Sequence, residues 1–182
     1  MLDYQRRLPH VFPNGKALFL TWHLHGSLPR NRYPPTGKLN SGKAFVWIDR
    51  YLDTTRVGPL HLRRPEIAAI VVKSLRFGSS ALGFYELHAY VVMPNHVHVL
   101  VTPKTSPVQF LKSIKNYTAR QANVILARRG PFWQAESYDH WVRDGVEHRS
   151  IQTYIEENPV KAGLARGPED YPWSSAFRGN ID

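Results

Sequence analysis

The chain has no cysteine. A disulfide framework and a thiolate zinc site are therefore excluded. Nowhere do about 18 apolar residues follow one another, so no stretch reads as a membrane-spanning helix. The first residues, Met1 to His10, carry Arg6 and Arg7 but lack the apolar run of a signal peptide. A cytoplasmic protein without a membrane partner is the expectation. The third scarcity is local: no carboxylate occurs between Glu86 and Glu136. A region without negative charge suits a polyanionic ligand better than a cationic one.

Positive charge, in contrast, is plentiful. Lys and Arg number 24 against 14 Asp and Glu, a formal charge of +10 over 182 residues. That is the electrostatic footprint of a nucleic-acid partner, and it places the protein with the nucleoid. The acid-free region holds Lys104, Lys112, Lys115, Arg120, Arg128 and Arg129. Of these, Lys112, Lys115, Arg120, Arg128 and Arg129 are the candidate nucleic-acid contacts, with Arg6, Arg7 and Arg143 as further choices; a solvated basic face is the plain alternative. An apolar content of 42% supports one hydrophobic core, hence a single domain over residues 1–182.

Ala17 to Leu24 has the aromatic and branched character of a strand, preceded by an N-terminal arm over residues 1–16. Residues 31–43 are rich in Pro, Gly, Asn and Ser and read as a loop. Within it Gly37, Gly42 and Lys43 nearly form a phosphate-binding loop, but Ala44 removes the hydroxyl that would hold magnesium. Pro65 opens a helical pattern carried by Ile67, Ile70, Val71 and Leu75. Glu86 to Met93 and His96 to Thr102 read as a hairpin turning at Pro94 and Asn95. Val108 to Arg128 is a long helix capped by Ser106, with Phe110, Leu111, Ile114, Ala122 and Ile125 on one stripe and Tyr117 at its edge. Phe132 to Arg143 is extended, and a helical extension occupies 144–182, its helix running from Glu147 to Glu157 and stopped by Asn158 and Pro159. Strand, helix, paired strands and long helix together predict an α+β fold, an antiparallel sheet with packed helices.

On an extended strand His96 and His98 point to one face while Val97, Val99 and Val101 point to the other. Two imidazoles on one face can chelate a metal ion. With no carboxylate close in sequence, the rest of the site needs an amide, a distant acid or water. The helix after the strand could cover this face, bringing Tyr117, with Gln121 one turn later as an amide ligand. A phenol with a pKa of about 10 is a weak nucleophile, so it needs a metal to neutralise charge on the group it attacks. His23 and His25 repeat the His-hydrophobe-His spacing on the first strand and read as core or DNA-facing positions. Glu136 and His140 are candidates for a supporting, proton-transfer role, with an ion pair as the structural alternative.

The run from Val91 through Pro94-Asn95-His96-Val97-His98 to Val101 resembles the REP-associated tyrosine transposases. So do Lys115-Asn116-Tyr117-Thr118-Ala119, Phe132 to His140, Asn158-Pro159-Val160-Lys161-Ala162-Gly163-Leu164, Arg7-Leu8-Pro9-His10 and Pro172-Trp173-Ser174-Ser175. That family belongs to the HUH (His-hydrophobe-His) single-strand DNA transposases. The resemblance implies a ferredoxin-like or RRM-like sheet with a long catalytic helix after the His-hydrophobe-His strand. It also implies a Mg or Mn ion on His96 and His98, and a polar ligand one turn after the tyrosine, where Gln121 follows Tyr117. Tyr117 would form a 5′-phosphotyrosine and release a 3′-hydroxyl, acting on single strands that fold into hairpins. Rejoining would need no nucleotide cofactor, since the phosphotyrosine bond conserves the energy of the cut. Relatives are monomers or homodimers. Two other readings differ in chemistry: a domesticated protein that binds such hairpins without cutting, and a metal hydrolase whose activity survives loss of the tyrosine.

Overall fold

The structure, a computed structural model, describes residues 12–29, 41–55 and 57–179, with residues 41–44 described by backbone alone. Arg6 and Arg7, most of the N-terminal arm and the loop over 31–40, Gly37 included, lie outside the described residues. The elements run β1 (Leu18–His23), α1 (Ser41–Thr54), α2 (Pro65–Ser80), β2 (Tyr85–Val92), β3 (His96–Pro103), α3 (Pro107–Ile125), β4 (Tyr138–Trp141) and α4 (Gly145–Lys161). No helix among the described residues is long and apolar enough to cross a membrane.

The four strands form one antiparallel sheet in the order β2-β3-β1-β4. With α2 and α3 as the crossovers this is the ferredoxin-like β-α-β-β-α-β arrangement, to which α1 and α4 are added. The hairpin expected at Pro94 and Asn95 is present, closed by Met93 N–H donating to the His96 carbonyl at 2.9 Å. Side-chain alternation sorts the sheet into two faces. One face carries Leu18, Leu20 and Trp22 of β1 and Val97, Val99 and Val101 of β3. It packs on Ile67, Val71 and Leu75 of α2 and Phe110, Ile114 and Ala122 of α3. The other face carries Phe19, Val91 and Leu100 and packs on Ile155 and Tyr154 of α4 and Phe45 of α1. Thr21, His23, His96 and His98 continue this second row.

The helix-period stripe of α3 is thus buried as its sequence predicts, but against the valine face. The expectation that α3 would cover the histidines is corrected: an antiparallel sheet has two faces, and α1 and α4 cover the one with the imidazoles. Ser41 to Lys43, read as loop, belong to the first turn of α1, a helix the sequence pattern had not suggested.

The last helix also differs from expectation. It begins at Gly145, because the Asp144 carboxylate accepts from Val146 N–H and Glu147 N–H at 2.9 and 2.8 Å. It runs through Asn158 and Pro159 to Lys161. A proline near a helix end removes one backbone donor without breaking the coil. The end is closed by Gly163 at φ 69°: Gly163 N–H donates to the Val160 carbonyl and Leu164 N–H to that of Pro159. This closure keeps Asn158 helical and directed at the sheet side, where it is buried.

Candidate metal centre and catalytic face

His96 and His98 are both fully buried, and their Nε2 atoms lie 3.1 Å apart. Each ring is oriented by its other nitrogen. His96 Nδ1 lies 2.7 Å from the Asn95 side-chain oxygen, whose amide nitrogen donates to the Leu52 carbonyl at 3.0 Å. An amide oxygen only accepts, so the His96 proton sits on Nδ1 and Nε2 offers a bare lone pair. His98 Nδ1 lies 2.7 Å from the Thr21 hydroxyl. Burial, then the neighbouring His98 and His23, hold His96 well below its usual imidazole pKa, so it stays neutral. Imidazoles oriented in advance through their other nitrogens are what a metal ion requires.

Helix α1 supplies the distant acid. The Asp49 Oδ1 lies 3.1 Å from His98 Nε2 and 3.9 Å from His96 Nε2, and Asp53 Oδ1 lies 3.4 Å from His96 Nε2. One helical turn separates the two aspartates, so both face the same way. Both Oδ1 atoms are buried without a hydrogen-bond donor. Burial, reinforced by the negative charge of Asp49, pushes the Asp53 carboxyl up to about 7. Orphaned buried carboxylate oxygens facing the imidazole nitrogens leave a donor set suited to a cation. Asp49, His96 and His98 are the group among the described residues whose ligand atoms converge closely enough to hold one ion.

The tyrosine beside this cluster is Tyr154 of α4. Its ring centroid lies 5.8 Å from that of His98, and Phe45 and Phe19 pack around it. Lys161 Nζ stands over the ring of Tyr154, 5.3 Å from its centroid, a cation–π contact. One turn after Tyr154 comes Asn158, buried, with a side-chain oxygen that has no hydrogen-bond donor.

Tyr117 and Gln121, by contrast, project from α3, on the far side of the sheet from the imidazoles, and both are exposed. Stacked layers lie about 10 Å apart, beyond a phenol's reach through a packed sheet. Within this chain the structure therefore does not bring Tyr117 and Gln121 to His96 and His98, which lie under the chain's own α1 and α4.

The remaining candidates divide by position. Lys112, Arg120 and Arg129 are exposed. Lys115 is a structural staple, its Nζ donating to the Gln134 and Ala135 carbonyls and the Ser137 hydroxyl, and burial lowers its pKa to about 8. Arg128 binds His61 and the Pro131 carbonyl. Arg143 and His140 both meet Glu147, so His140 has the structural ion pair rather than a place at the metal cluster. Glu136 lines a cavity against α3 on the valine side, away from the imidazoles. His23 is buried, its Nδ1 bonded to Ser27, and His25 is exposed.

Asp49, Tyr154 and Asn158 had a faint sequence signal. Asp49 and Asp53, like Tyr154 and Asn158, stand four apart, the spacing of one helix face. What was lacking was any local reason to bring those faces to β3.

A ferredoxin-like sheet carries on one face a buried His-hydrophobe-His pair and a buried acid that could hold a metal ion, with a half-buried tyrosine beside them. Residues 79–158 match the family described as transposase IS200-like. The match includes His96, His98, Tyr154 and Asn158, whereas Asp49 lies before it. The chain is 27% identical over 94 residues, 52% of its own length, to a REP-associated tyrosine transposase of Escherichia coli. It is 26% identical over 106 residues to a REP-associated tyrosine transposase, so named provisionally, of Haemophilus influenzae, covering 52% of this chain. These matches span 56% and 60% of the two relatives. The fold is similar to that of a solved REP-associated tyrosine transposase bound to a REP hairpin, with a TM-score of 0.58 and 21% identity over 98% of this chain and 84% of that one.

Proposed function

We propose that this protein is a metal-dependent single-stranded DNA endonuclease and strand transferase, acting on hairpin-forming repeats, with Tyr154 as its nucleophile. The observation that carries the reading is the Tyr154 ring 5.8 Å from His98, on the sheet face where Asp49, His96 and His98 converge. A divalent cation, Mg or Mn by the resemblance, would be held by His96, His98 and Asp49 and would neutralise charge on the attacked phosphate. Asn158 stands one turn after Tyr154, where the resemblance implies a further polar ligand, and its unpaired oxygen suits that role.

The reaction is a phosphoryl transfer. The phenol of Tyr154 loses its proton, its oxygen bonds to phosphorus, the bond from phosphorus to the 3′ oxygen breaks, and that oxygen leaves as a 3′-hydroxyl after taking up a proton. Attack by a 3′-hydroxyl on the 5′-phosphotyrosine reverses the sequence and rejoins strands. Lys161 stabilises the phenolate, and the aromatic packing of Phe19 and Phe45 holds the ring in place. The test compares Tyr154→Phe and Tyr117→Phe with a hairpin oligonucleotide and Mn or Mg. Tyr154→Phe should lose the covalent protein–DNA adduct and keep DNA binding, while Tyr117→Phe should keep both. An adduct that persists in Tyr154→Phe and vanishes in Tyr117→Phe overturns the assignment. Binding by the unsubstituted protein with no cleavage under either metal would instead mark a hairpin-binding protein.

A further inference from the structure

We propose that a single strand crosses this site along one track, with Arg149 gripping its backbone on one side of the cut phosphate and Arg63 on the other; this rests on the function proposed above. The track is built from two depressions that share one residue. A shallow groove along α4 is lined by Arg149, Ser150, Thr153, Tyr154 and Lys161. A cavity of about 430 Å³ beside His96 is lined by Asp53, Leu60, Arg63, Leu164 and again Lys161. Lys161 therefore stands at the junction, with the Tyr154 ring on one side and the His96 wall on the other.

The chemistry of the two depressions matches an extended strand with several phosphates rather than a small anion. Each has its own guanidinium: Arg63 in the cavity, and Arg149 in the groove, where it also acts on the Asp144 carboxylate at the start of α4. The cation at the junction makes an exposed ion pair, Lys161 Nζ to the Glu157 carboxylate at 3.1 Å, which costs little to exchange for a phosphate. In the cavity, Leu60 and Leu164 give apolar surface on which a base can lie, and Arg63 stands where the next phosphate would fall. Asp53 is the one acid in either lining, and it sits at the His96 end, toward the metal cluster.

The two arginines should act on opposite sides of the cut. Binding is measured on Tyr154→Phe protein, which separates the track from the chemistry, using the hairpin oligonucleotide and versions shortened stepwise on the 5′ or the 3′ side of the cleavage position. Arg149→Gln and Arg63→Gln should each weaken binding of the full oligonucleotide by about tenfold and reduce the dependence of log affinity on log salt by about 0.7. Shortening one side should abolish the penalty of one variant and leave that of the other; shortening the opposite side should do the reverse. The proposal is overturned if both penalties vanish on shortening the same side, or if neither substitution changes affinity. A wrong assignment of the nucleophile shows separately, as an adduct still formed by Tyr154→Phe.

Discussion

Asn95 should prove as important to the metal centre as a direct ligand, although it is placed to touch no ion. It is 1% exposed and makes two bonds: its oxygen accepts from His96 Nδ1 at 2.7 Å, and its amide nitrogen donates to the Leu52 carbonyl at 3.0 Å. The first bond fixes the proton on Nδ1 and frees Nε2. The second satisfies a carbonyl in the last turn of α1, the helix that carries Asp49 and Asp53. Asn95→Leu keeps the branched shape and loses both bonds. Loss of such an orienting partner weakens metal binding by about 10–100-fold, or about 1.4–2.8 kcal/mol. The unpaired carbonyl and imidazole add about 1–3 kcal/mol of lost stability each. Titration calorimetry with Mn, beside thermal melts of the metal-free protein, separates the two effects. Asn95→Asp retains an acceptor for His96 without the donor to Leu52, so it should recover metal affinity while the melt stays lowered. If Asn95→Leu folds and binds Mn as tightly as the unsubstituted protein, the proton placement argued for His96 is wrong.

Thr118 on α3 accepts from the buried Trp133 Nε1 at 2.9 Å and donates to the Ile114 carbonyl at 2.7 Å, so Thr118→Val should cost about 1–3 kcal/mol in denaturant unfolding, and no loss would show that the indole finds another acceptor. A methyl added at Gly78 would meet the Tyr85 oxygen at 2.7 Å, and that buried phenol is held by its bond to the Leu75 carbonyl; Gly78→Ala should therefore destabilise by about 1–3 kcal/mol, checked by the same titration. Burial lowers His23 from 6.5 to about 4. Between those values the unfolded chain binds the proton and the folded protein does not, so stability is full above pH 6.5 and falls as pH drops, by about 3 kcal/mol once pH passes below 4. His23→Gln should flatten that part of the metal-free protein's acid limb, and an unchanged slope would refute the burial argument.

How far the sequence could be read depended on whether a feature was local. Alternation along His96 to Val101 established both that the imidazoles share a face and that the valines share the other, because side-chain direction on a strand is set by backbone geometry alone. The stripe on α3 was equally legible, since helix periodicity needs no partner. The excess of basic residues was legible for the same reason: it is a property of composition. What sequence did not determine was which helix lies on which face of the sheet. Tyr117 and Tyr154 are both helix tyrosines with an amide four residues later, Gln121 and Asn158, and nothing local ranks one above the other. Only the tertiary structure separates them, because a sheet has two sides and the ferredoxin-like crossovers place α2 and α3 together on the valine side. The same holds for Asp49, far along the chain from His98 yet 3.1 Å from it in space, on a helix whose packing against Phe19 and Tyr138 through Phe45 only the folded chain creates.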